Sequence, residues 1–152
     1  MNVYISRNAE LFYKAYEDLW VAERTWFASP NIAMWHCTQS VEKIMKGFLR
    51  CHNMEYDHVH ELRYLLEDVE SVKTVSGECK EYIIYLDTFG NKLRYRNMPN
   101  DPSPEDVQLA ISRTKHIIQY FKTYPVISQY LSEAYEVHIK ILKASYEKYS
   151  VE

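Results

Sequence analysis

Arg94, Arg96 and Asn97 fall together in KLRYRNMPNDPSPED, residues 92–106, between two helical patterns. A guanidinium is a planar fork of donors that matches a phosphate or a carboxylate. Two such forks at a helix end can grip a phosphate; equally, cations there suit the negative end of the helix dipole, worth about 0.3–1 kcal/mol. Another cation, Lys46, lies in VEKIMK on an earlier helical pattern, with Gln39, Glu42 and Lys43 on the same face. Lys46 is a candidate for nucleotide phosphate beside Arg94 and Arg96. Glu42 and Lys46 also form an i, i+4 pair, which would support an exposed helix face by about 0.2–0.5 kcal/mol.

Other chemistry is less favoured by the residues. His52, Glu55, Asp57, His58 and His60 have ligand types that suit zinc or iron. His58 and His60 are two apart and would point to different sides of a helix, and no histidine elsewhere has ligand spacing, so we expect no metal. Neither GxGxxG nor GxxxxGK[ST] is present, and we expect no cofactor. Cys37, Cys51 and Cys79 lack a CxxC or a nearby histidine signature and read as buried fillers. Trp20, Trp26, Trp35 and the tyrosines can stack bases, but aromatics at helical spacing more often serve core or interface. His116 is the residue to examine as a substitute base, since it follows the proline loop on the next helical pattern.

The elements that must position these residues are helical throughout. Leu11, Ala15, Leu19, Ala22 and Trp26 predict a first helix over about 8–27. Ser29 can cap and Pro30 can open the second, whose stripe is Ile32, Trp35, Thr38, Val41, Met45, Phe48 and Leu49, with Asn53 as terminator. Leu62, Leu65, Leu66 and Val69 predict a third helix capped by Asp57, followed by a turn at Ser76 and Gly77. Tyr82, Tyr85, Leu86, Phe89 and Leu93 mark a fourth, which must end before Pro99. Ser103, Pro104 and Asp106 are a capped start for the fifth, carried by Val107 to Phe121. After Pro125 a stripe from Ile127 to Tyr149 predicts a sixth. The fold class is all-α: an antiparallel bundle of four to five core helices plus a long C-terminal helix, in one domain over 1–152.

With 18 Lys plus Arg against 21 Asp plus Glu, the net charge of -3 gives no general attraction for a polyanion, so nucleic acid must be argued from a local site. No apolar run approaches the roughly 20 residues that span a bilayer. The polar opening MNVYISRNAE and an odd number of cysteines lead us to expect a cytoplasmic protein with reduced thiols.

QSVEKIMKGFLRCHN from Gln39, HELRYLL from His60 and LRYRNMP from Leu93, followed by a capped helix, resemble the HEPN domain, the higher eukaryotes and prokaryotes nucleotide-binding domain. The resemblance covers about 8–122. It implies a homodimeric bundle, often paired with a small nucleotidyltransferase as in toxin-antitoxin systems, that either cleaves RNA without metal or binds nucleotide without cleavage. Cleaving relatives resemble one another in an Arg, a polar residue and then a His at the end of the fourth helix. Here Arg94, Arg96 and Asn97 are present, but four to six residues beyond either arginine lie only Pro99, Asn100, Asp101, Pro102 or Ser103. Cleavage through the 2'-hydroxyl needs proton carriers, for which His is suited and Arg is not. Asp101 is a weak base that would repel phosphate. We therefore expect a non-cleaving dimeric binding module; the alternative is a diverged ribonuclease built on Arg94, Arg96 and Asn97.

Overall fold

The structure, a computed structural model, describes residues 3–56, 61–90 and 101–150. A 3-10 turn, Arg7–Ala9, leads into α1 (Glu10–Thr25), and α2 (Pro30–Cys51), α3 (Leu62–Glu70), α4 (Gly77–Gly90), α5 (Pro104–Phe121) and α6 (Pro125–Tyr149) follow. All are helices, as the periodicities predict. Arg94, Arg96 and Asn97 lie outside the described residues, as do Asp57, His58, His60, Leu93, Pro99 and Asn100.

Helix α2 is the hub. It packs on α1, α3, α4 and α5, and touches α6. Its approach to α1 is close because Gly47 presents no side chain: a Cβ there would lie 2.5 Å from Phe12 Cε1. Two turns earlier, buried Ser40 donates its hydroxyl to the Ala15 carbonyl at 2.8 Å, so its polar group is satisfied inside the contact. Phe12, Met34, Ile44, Met45, Phe48, Leu49, Ile117 and Phe121 are fully buried, and Phe48 meets Phe121 edge-on with ring centroids 5.7 Å apart. Such pairs add about 0.5–1.5 kcal/mol beyond area burial.

The helix starts divide by mechanism. At α5 the capping box forms as expected: Asp106 N–H donates to Ser103 Oγ at 3.1 Å and Ser103 N–H donates to Asp106 Oδ2 at 2.9 Å. At α2, Pro30 takes the first turn but the Ser29 side chain makes no cap bond. The predicted turn at Gly77 is instead the first residue of α4, with Cys79 N–H donating to Ser76 Oγ. The predicted core stripe of α2 is offset at its start: Ile32 and Trp35 are 49% and 37% exposed, while the adjacent Ala33, Met34 and Cys37 are fully buried, so the inward face of the first turns runs through those residues instead. Cys51 is half-buried rather than buried.

Helix α6 lies against α1. Tyr16 meets Tyr135 at 5.4 Å between ring centroids, and Tyr13 meets His138 at 6.1 Å. The Ser6 N–H and hydroxyl both donate to Glu133, each at 2.8 Å, tying the chain before α1 to the same helix. Burial stops at His138, and Tyr146 and Tyr149 near its end are 74% and 69% exposed. The stripe therefore completes the bundle over its first half only.

Candidate functional site

The described part of the expected site is on the later turns of α2. Glu42 is buried, which corrects its expected place on an exposed helix face: α2 is covered on several sides, so the position faces the bundle interior. Lys46 Nζ lies 3.4 Å from Glu42 Oε2, its side chain only 12% exposed, and 5.6 Å from the centroid of the Tyr56 ring. A carboxylate and a ring face thus share one desolvated ammonium, a stronger arrangement than a solvated i, i+4 pair.

Tyr56 reaches Lys46 because α2 ends sharply. Asn53 takes φ 55°, the left-handed conformation that closes helices, while Asn53 N–H donates to Arg50 O and Met54 N–H to Leu49 O. The chain that returns builds an open cleft of about 500 Å³ lined by Arg7, Asn8, Arg50, Asn53, Met54, Glu55 and Tyr56. Arg50 Nη1 donates to the Arg7 carbonyl at 3.3 Å and lies 3.5 Å from Glu10 Oε2. The Arg50 guanidinium therefore stands at one end of the bundle, held on the backbone of the turn before α1, in the cleft that Arg7 and Tyr56 also line. Reading along the sequence did not find Arg7 or Arg50, because the contact joins residues 43 apart; Asn53 was its only local sign.

Gln39 and Lys43 lie on the same helix, half-buried. Lys43 belongs to a different group, in which Asp18 of α1, 6% exposed, takes Lys43 Nζ at 2.5 Å on one oxygen and His36 Nδ1–H at 2.7 Å on the other. This ties α1 to α2 and orients the His36 ring, a role that no motif suggests. Asp87 of α4 accepts from the Leu62 N–H at 2.8 Å, so the last turns of α4 hold the start of α3. His116 sits on α5 with its ring 5.9 Å from that of Tyr82. Asp101 is exposed.

Of the histidines and carboxylates weighed for metal, His52 stacks on Phe48 and donates Nδ1–H to the Phe48 carbonyl at 2.8 Å, which commits that nitrogen. Among the described residues no group of three or more His, Cys, Asp or Glu is placed to hold a metal ion. Burial pushes the Cys37 and Cys79 thiols up to about 12 and Cys51 to about 11, far from a nucleophile at neutral pH. No described helix is long and apolar enough to cross a membrane.

Comparison with known proteins follows the same geometry. The crystal structure of an archaeal HEPN homologue superposes with a TM-score of 0.62 at 18% identity, covering 78% of this chain and 98% of that one, which establishes the shared fold. A search of curated proteins finds no match. The model of the HEPN domain matches residues 5–124, from the strand of chain before α1 to the residue before α6 begins, and the chain belongs to the HEPN domain family.

Proposed function

We propose that this HEPN protein is a dimeric binding module that holds the phosphate of a nucleotide or RNA without cleaving it, with Arg94 and Arg96 as the gripping groups and Lys46 as the cation from α2. Pairing with a small nucleotidyltransferase in the cytoplasm is the physiological setting we infer. The observation that carries the proposal is the position of the histidines. No histidine occurs between His60 and His116. His116 is twelve residues into α5, about 18 Å along the axis from Pro104 at 1.5 Å per residue. In sequence His116 stands 22 residues after Arg94 and 20 after Arg96, so neither arginine begins a short Arg-to-His unit of the kind that the resemblance ties to cleavage. Arginine stabilises charge on phosphate but moves no proton at neutral pH.

The test is incubation of wild type and an Arg94→Ala, Arg96→Ala double variant with total RNA and a labelled oligonucleotide in chelator, beside nucleotide titrations followed by melting temperature. We expect intact RNA in both lanes, and a ligand-dependent rise in melting temperature of the RT ln(1 + [L]/Kd) form that the double variant loses. RNA cut by wild type alone would replace this function with the ribonuclease built on Arg94, Arg96 and Asn97.

A further inference from the structure

A second cationic group lies on the α4–α5 face. Arg113 of α5 is held between two tyrosines of α4: its Cζ is 4.9 Å from the centroid of the Tyr82 ring and 4.4 Å from that of Tyr85. A cation–π contact holds a guanidinium without giving its N–H donors an oxygen partner. Among the described residues no hydrogen bond or ion pair engages those donors. The described arginines 24, 50 and 63 each have a carboxylate or carbonyl partner. His116, one turn along α5, is exposed and meets the edge of the same Tyr82 ring. Tyr85 is itself fixed, its hydroxyl donating to the Asp106 carbonyl at 3.4 Å. The nearby Asp106 carboxylate accepts from the Ser103 N–H in the capping box.

We infer that Arg113 and His116, positioned by Tyr82 and Tyr85, form a second phosphate-binding site, made of residues other than Lys46, Arg94 and Arg96. The ligand class is a phosphate ester, either the backbone of single-stranded RNA or a mononucleotide. A guanidinium whose side-chain rotamers are already fixed by two rings loses little entropy on binding, and its free fork matches two phosphate oxygens. The imidazole adds a third donor on the same face. The half-buried rings of Tyr82 and Tyr85 beside the cation add aromatic surface to the site. The inference rests on the reading of the module as a phosphate binder, extending it from one contact to a track across the α4–α5 face.

The test measures anisotropy of a labelled 12-nucleotide single-stranded RNA across a salt series, with calorimetry of AMP and of inorganic phosphate, on wild type, Arg113→Gln, His116→Gln and the Arg94→Ala, Arg96→Ala protein. Arg113→Gln should weaken RNA about tenfold, the loss of one charge-assisted fork. It should also flatten the dependence of log K on log salt by about 0.7, the value for one phosphate contact on a single strand, which a merely structural role would not change. His116→Gln leaves the Arg113 stack in place and should lose about threefold, so the site is testable even if Arg113→Gln perturbs folding. A loss confined to AMP and phosphate assigns the site to a mononucleotide. Wild-type affinity and slope for all three probes in both Arg113→Gln and His116→Gln overturn the inference. If only the double arginine variant loses binding, the proposed function stands and this site falls. If wild type binds none of the probes, both fall.

Discussion

Gly47 of α2 and Phe12 of α1 leave no room between them: a Cβ on Gly47 would come within 2.5 Å of Phe12 Cε1 and 2.9 Å of Cζ. The ring is fully buried, so it has no solvent to swing into, and relief requires α1 and α2 to part. Gly47→Ala should therefore destabilise the fold by about 1–3 kcal/mol despite the better helix propensity of alanine. Urea unfolding of the two proteins measures this; an alanine variant as stable as wild type would mean that the helices separate without cost.

Glu42 and Lys46 are coupled with Tyr56 at the end of the bundle that carries the arginine cleft. Lys46→Met keeps most of the side-chain volume but removes the ammonium beside a carboxylate whose side chain is 5% exposed. The expected loss is about 1–3 kcal/mol, and Glu42→Gln in the same background should restore part of it, because a neutral amide beside the methionine is less costly to bury than a carboxylate. A double-mutant cycle on denaturant midpoints checks the coupling. Independent, additive effects would show that the pair does not act as a unit.

These two contacts also show what was legible beforehand and what was not. Helix starts written in adjacent residues were readable: Ser103, Pro104 and Asp106 lie within one turn, and their box forms as their types dictate. Periodicity placed Met45, Phe48, Leu49, Ile117 and Phe121 in the core. It does not settle which residues of the first turns of α2 face inward: Ala33, Met34 and Cys37 are buried there, and Ile32 and Trp35 of the predicted stripe are exposed. Glu42 was assigned outward on charge alone, because nothing in VEKIMK records that α2 is surrounded. The candidate site divided in the same way. Lys46 was found from its motif, while Arg7, Arg50 and the Tyr82–Arg113–Tyr85 stack depend on contacts between distant segments or between helices, where no local pattern exists.

The α5 capping box gives a prediction of known size. Ser103→Ala removes the acceptor of the Asp106 N–H and releases the Asp106 carboxylate from its fixed place. A loss of about 0.5–2 kcal/mol is expected, and Ser103→Asp should recover most of it, since aspartate is an equally good cap. Thermal melts of the three proteins at equal concentration decide the matter. Equal melting temperatures for wild type and Ser103→Ala would mean that the α5 start is held by packing of Val107 alone.

His138 links the α1–α6 contact to pH. It is 7% exposed and its ring meets those of Tyr13 and Tyr16. Burial lowers its pKa from the ordinary value near 6.5; Arg24 adds to the lowering and Glu23 opposes it. In the unfolded chain the imidazole takes up a proton as pH falls through about 6.5, whereas in the folded protein it does so only at lower pH. The unfolded state therefore binds more protons in that window, and stability that is fully present above the unfolded pKa is lost as pH falls toward and through the folded one. His138→Phe keeps the aromatic contact without the titration. The variant should lose less melting temperature than wild type as pH falls below about 6.5, the ordinary value of the unfolded imidazole. Parallel curves for the two proteins would show that His138 takes its proton as easily in the fold as out of it, so that the α1–α6 contact carries no pH dependence.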